Sequence, residues 1–254
     1  MFKGILFYSL MFATLLKAED FIIPSDVYGF NTFDDTSNCR STEMAQATVL
    51  FVQDSQFTNL GKQSSDWIKS VNHYYDNSKV YLELRKVGLV DYRFRGKTMR
   101  DKLKELRNSP SVSRYRNQYE ADFVIGIVDK TAKDGIVGMG FINIGEKFAY
   151  SVVRKSVGAV TIAHELGHNM GLGHSVIQGS EGFPFSWGRG HGVKGRFATI
   201  MAYAHVYPAP RVHVFSNPKI RCDGLRCGVG GDHRESANSA RALNCVRFYI
   251  SNHR

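Results

Sequence analysis

A chain of 254 residues can hold one sizeable domain or two small ones, and its 43% apolar and 22% charged content is ordinary for a globular protein. There are no internal repeats or low-complexity tracts, so repeat and filler architectures are excluded. A formal net charge of +10 favours anionic partners: acidic proteins, cell-surface or matrix polysaccharide, lipid headgroups.

The chain opens on "MFKGILFYSLMFATLLKAED", a lysine, an apolar run and a small residue at Ala18 before two acids. Residues 1–18 therefore read as a secretory signal peptide, too short for a comfortable membrane span, with an uncleaved anchor as the alternative. No later segment is apolar enough to cross a bilayer, so the expected mature product is secreted and has no transmembrane segment. Residues 19–44 are polar and turn-rich, an N-terminal extension or short propeptide, and residues 45–254 form the expected main domain. Within it "ATVLFVQD" reads as a buried strand, "SSDWIKSVNHYYDNSKV" as a helix and "VYLELRKVGLV" as an alternating strand. The basic run 86–116 carries Met99, Leu103 and Leu106 at helical spacing. Its lysines and arginines are thus the wet face of an amphipathic helix ending before Pro110, and a nucleic-acid partner is not expected. Three strands follow, "ADFVIGIVD", "GMGFINIG" and "FAYSVVR", and then the apolar helix "SVGAVTIAHELGHNMG". Glycine and proline dominate from there to "SANSARALNCVRFYI", the predicted C-terminal helix. Strands alternating with helices and then an irregular region predict an α/β or α+β sheet layer above a loop-rich smaller half.

Four cysteines, an even count, suit two disulfides in an oxidising compartment. Cys222 and Cys227 could close a small loop, leaving Cys39 for Cys245, but three pairings are open.

The chemistry concentrates in "HELGHNMGLGH", His164 to His174. Residues four apart on a helix lie one above the other, so His164 and His168 point the same way, with Glu165 about 100° round from His164. His174 joins them only if the helix stops and the chain turns sharply, and Gly171 is the residue type that takes a positive φ there. Three neutral imidazoles on one zinc ion leave a position for water, the arrangement of catalytic zinc, and the pKa of such water falls to about 7. Glu165 is placed to accept the water's proton and hand it to a leaving amine. The short His-Glu-x-x-His pattern arises by chance, and each further fixed position makes coincidence rarer. His191, His205, His213 and His233 have no spacing that completes a second site. No EF-hand loop is present, so calcium is unsupported as a second cofactor.

His164-Glu165-x-x-His168-x-x-Gly171-x-x-His174 resembles the metzincin clan of zinc endopeptidases. "FATIMAY" places Met201 where that clan carries a methionine turn, an apolar floor beneath one zinc per chain. Tyr203 is similar to the tyrosine that astacins and serralysins carry there, which implies a hydrogen bond to the reacting oxyanion. The stretch from Gly140 through "TIAHELGHNMG", then "FATIMAY" and "VFSNP", looks most like secreted bacterial reprolysin-like peptidases, over roughly residues 120–245. Ser175 departs from the aspartate usual in reprolysins and matches matrixins.

The resemblance implies a zincin-like α+β fold: a twisted mixed sheet with helices in an upper subdomain, an irregular lower subdomain ending in a helix, and the active-site helix between them. It also implies a monomer that binds protein or peptide substrates extended along an edge strand at residues 138–144, with Gly140, Phe141 and Ile142 as contacts. The segment from Met201 to Phe215 would wall the S1′ pocket. Arg211 there is a candidate for meeting an acidic P1′ residue, against the simpler reading of a surface arginine. Cys39 could close the site as a latency ligand, although "TSNCRS" does not match the matrixin switch and cysteine parity favours a disulfide. The expected function is an exported zinc endopeptidase. The alternative is a binding protein of the same shape, docking to an anionic surface with structural zinc; Glu165 speaks against it, since a pure binder needs no carboxylate beside the metal.

Overall fold

The computed structural model describes residues 36–58, 60–129, 135–231 and 233–253. The expected signal peptide and residues 19–35 of the expected extension lie outside them. Five strands form one sheet: β1 (Ala45–Asp54), β2 (Leu82–Tyr92), β3 (Phe123–Val128), β4 (Gly138–Gly140) and β5 (Tyr150–Arg154). Their order is β2-β1-β3-β5-β4, parallel throughout except for β4, which runs antiparallel to β5 at the edge. Helices α1 (Gly61–Ser78), α2 (Met99–Asn108), α3 (Pro110–Gln118), α4 (Ala159–Asn169) and α5 (Ser239–Ile250) complete the α+β architecture.

Strand alternation decides which helix covers which face. Val49 and Phe51 of β1, with Phe123, Ile125 and Ile127 of β3, pack against Trp67, Val71 and Tyr75 of α1 and Ile162, Ala163 and Leu166 of α4. Leu50, Val52 and Val124 point the other way, onto Met99, Leu103 and Leu106 of α2 and Val112 of α3. Both faces are buried, which is why β1 and β3 read as nearly continuous apolar runs.

The basic helix stops before Pro110 as its sequence predicts, but a second helix begins there. Ser109 caps α3 by accepting a hydrogen bond from Val112 N, and Pro110 occupies the first turn, where its missing N–H costs nothing. The run 86–116 is also not uniformly a wet face. Arg116 is 1% exposed: its guanidinium donates to the carbonyls of Ala121, Glu146 and Asp122 and to Tyr150 Oη. Charge alone did not reveal that three carbonyls awaited a donor.

Below α4 the chain is irregular, stitched by two-stranded ladders such as Gly192–Val193 with Phe197–Ala198. Disulfides join Cys222 to Cys227 and Cys39 to Cys245. The second pins the segment around Ser37–Arg40 to α5, and the buried Arg247 reinforces it by donating to the carbonyls of Asn38, Ser41 and Glu43. The sulfur of Cys39 is therefore not a thiolate that could reach a metal. Among the described residues no helix is long and apolar enough to cross a membrane.

Candidate active site

Helix α4 is buried from Ile162 to Asn169, held between the sheet and the irregular half. It ends where the sequence places its break: Gly171 has φ +82°, its N–H donates to His168 O, and Leu172 N donates to Gly167 O. A Cβ at Gly171 would lie 1.7 Å from Phe183 O, so any side chain there collides with backbone. The turn brings His174 back onto the face that carries His164 and His168.

The three imidazoles converge. His164 Nε2 lies 3.1 Å from His168 Nε2 and 3.2 Å from His174 Nε2, and one donor nitrogen from each residue falls within 4.8 Å of the others. His164 Nδ1 donates to Ile200 O at 2.8 Å and His168 Nδ1 donates to Leu172 O at 2.7 Å. These second bonds fix the tautomer, so both Nε2 atoms present lone pairs. Burial keeps the rings neutral, lowering His168 to about 4 and holding His164 and His174 well below the usual histidine range, with neighbouring positive charges adding to the effect. Facing lone pairs repel one another unless a cation lies between them. Tetrahedral zinc with nitrogens at about 2.0–2.1 Å sets them about 3.3 Å apart, so the donor set fits that ion.

Glu165 lies beside this cluster under the sheet edge. A Cβ at Gly138 would sit 2.5 Å from Glu165 Oε1, and one at Gly140 would sit 3.3 Å from Oε2. Two glycines two apart on β4 thus leave the space that the carboxylate fills. Burial raises Glu165 to about 8, and the positive charge of Arg211 opposes the rise; a bound cation would oppose it further.

The rim differs from the expected segment 138–144, since only Gly138–Gly140 is strand. Phe141 is buried, with its N–H bonded to Tyr150 O and its carbonyl accepting from Asn169 Nδ2. Val137 O accepts from Arg154 N. Residues 137 and 141 therefore face β5, and by strand alternation the N–H and C=O groups of Gly138 and Gly140 point to the open edge. Gly140 sits where a substrate backbone could pair. Phe141 does not, and Ile142 lies beyond the strand.

Met201 is fully buried, its sulfur 2.6 Å from where a Cβ of Gly167 would stand. It touches the underside of α4 and is not among the nitrogen donors. The Tyr203 ring lies 4.3 Å from that of His174 and stacks at 18° on His164. Burial, with a contribution from Glu165, raises its pKa, so the hydroxyl stays a donor at neutral pH. Gln178 Oε1 accepts from both Tyr203 N and Ser175 Oγ, coupling the residue after the third histidine to the tyrosine.

Sequence reasoning missed Gly138, Asn169 and Gln178 as site residues. The alternation of "GMG" could have pointed to Gly138. The contacts that tie the other two to the site are distant in sequence: Asn169 meets Phe141, 28 residues back, and Gln178 meets Tyr203, 25 residues on.

The model of the M12B reprolysin-like metallo-peptidase family matches residues 62–175, which take in all three histidines and Glu165. A peptidyl-Asp metalloendopeptidase of Pseudomonas aeruginosa is 31% identical over 83% of this chain and 40% of its own length. A protein of the same name from Stenotrophomonas maltophilia is 27% identical over 68% of this chain and 43% of its own. The chain thus spans less than half the length of these curated relatives. A solved structure described as a chaperone–substrate complex shares the fold, with a TM-score of 0.68 at 19% identity over 83% of this chain and 35% of that one.

Proposed function

The chain carries a metzincin-like zinc metallopeptidase domain, and on that premise we propose that it is an exported endopeptidase hydrolysing peptide bonds in proteins. One observation carries this: three buried, neutral imidazole nitrogens converge beside a carboxylate, directly beneath an open strand edge. His164, His168 and His174 would hold one zinc ion. Zinc supplies a Lewis acid that acidifies water and polarises a carbonyl. Glu165 accepts the proton of the attacking water and returns it to the amine that leaves. Tyr203 donates a hydrogen bond to the oxygen on which negative charge develops. The edge groups of Gly138 and Gly140 pair with extended substrate backbone, whatever its side chains. Two disulfides and the apolar N-terminus support export. The relatives' name, peptidyl-Asp metalloendopeptidase, supports scissile bonds that adjoin an acidic residue.

The test is casein or gelatin cleavage by purified protein, with and without a zinc chelator, beside Glu165→Ala. Chelation should abolish cleavage and added zinc restore it. Glu165→Ala should retain zinc and lose about 10²–10⁴-fold in rate, the range for a positioned general base. Wild type and variant equally inert and equally zinc-loaded would end the enzyme reading.

A further inference from the structure

We propose that Arg211 is the specificity-determining residue of this site, its guanidinium receiving the side-chain carboxylate of an acidic residue next to the scissile bond. The inference rests on the endopeptidase reading above and assigns its substrate preference to one side chain.

The segment around Arg211 runs alongside residues 198–200: Arg211 bridges Ala198 in parallel, Val212 N donates to Ala198 O at 2.8 Å, and Ile200 N donates to Val214 O at 2.9 Å. Ile200 is the residue whose carbonyl orients His164, and Met201 follows it. Arg211 is thus anchored to the strand segment that supports the histidines. Paired residues of a ladder carry their side chains on the same face, so Arg211 leaves on the face of Ala198, which packs with Ala202 and Tyr207, residues that bracket Tyr203 in the chain.

Its bonding is incomplete. The side chain is half-buried, Nε is buried without a hydrogen-bond acceptor, and no carboxylate among the described residues lies within ion-pair distance. Two deeply buried arginines behave differently. Arg116 and Arg247 each donate to several backbone carbonyls, which is what a structural guanidinium does. Partial burial of a cation without a partner is unfavourable. A cation held by the three histidines would add like charge that the single carboxylate of Glu165 would not balance. An acidic substrate side chain supplies both the missing acceptor and the missing negative charge, through a planar fork suited to carboxylate.

The test uses acetylated, amidated peptides that differ only at the residue flanking the scissile bond, Asp, Asn or Leu. Amidation removes the terminal carboxylate, the other source of the same chemistry. Wild type should prefer Asp to Asn by about tenfold to a hundredfold in kcat/KM, the range of a charge-assisted hydrogen bond. In Arg211→Gln the Asp/Asn ratio should collapse to near one, and in Arg211→Lys it should stay above one, because a point charge remains. If Arg211→Gln lowers all three peptides while preserving the ratio, the guanidinium acts on Glu165 and the inference is overturned. A wild-type ratio near one overturns it too, as does an Asp preference that appears only in peptides with a free C-terminus. Equilibrium binding of the Asp and Asn peptides to zinc-loaded Glu165→Ala, with and without Arg211→Gln, gives a second ratio that needs no turnover. Tighter binding of Asp through Arg211, without cleavage of any peptide by wild type, would keep this inference and remove the endopeptidase reading.

Discussion

The side-chain amide of Asn169 donates to the carbonyl oxygen of Phe141 at 3.0 Å, and to that of Tyr150 at 2.9 Å. The last residue of the histidine helix thereby fixes the end of the edge strand and its neighbour. Asn169→Leu would leave two buried carbonyls without this donor, at a cost of about 1–3 kcal/mol. Urea denaturation should show that loss. The zinc content should stay at one per chain, and KM for a peptide substrate should rise more than kcat falls, because the rim moves while the histidines do not.

Gly138→Ala tests the packing of β4 on the general base. The added methyl carbon meets Glu165 Oε1 at 2.5 Å, so the carboxylate must shift. A displacement near 1 Å at a reacting group costs on the order of 10²-fold in rate. Steady-state kinetics should show a fall in kcat of that size with zinc retained and the melting temperature little changed.

Gly171→Ala should fail differently. It combines a positive φ with a collision against the Phe183 carbonyl, and the collision cannot be relieved by a rotamer change. The turn that returns His174 would be lost, so zinc affinity, followed by titration with a metal-competing dye, should drop at least tenfold. Gly171→Asn should do no better. Asparagine tolerates left-handed backbone, but its Cβ meets the same oxygen.

The Cys39–Cys245 bond spans 206 residues, and chain entropy for such a loop is worth about 5 kcal/mol. Together with the Arg247 clamp it makes the segment from Asn38 to Glu43 part of the folded domain. Cys39→Ser with Cys245→Ser should lower the denaturation midpoint markedly. N-terminal sequencing of the mature protein should find a start upstream of Cys39. A mature form beginning at residue 45 would contradict this.

Much of this was legible in the sequence because short-range rules govern it. The apolar runs of β1 and β3, the stripe Met99-Leu103-Leu106 and the spacing from His164 to His174 each encode a buried strand, a face or a turn directly. What escaped depends on distant partners. Arg116 reaches the carbonyl of Glu146, 30 residues on, which the charge of the run 86–116 did not signal. The seven-residue edge strand is cut to three because the ring of Phe141 belongs to the core under α2, a tertiary demand with no local signature. Arg211 was visible as a basic residue in the right segment, but only the fold shows that its Nε is buried without an acceptor.

The most direct measurement is metal stoichiometry, read by elemental analysis on wild type and His168→Ala purified at neutral pH. One zinc per chain in the wild type, far less in the variant, and cleavage that follows the metal through removal and readdition are the expected results. A folded protein that cleaves peptides while metal-free, or a His168→Ala variant that holds zinc as tightly as wild type, would contradict a site built on these three imidazoles.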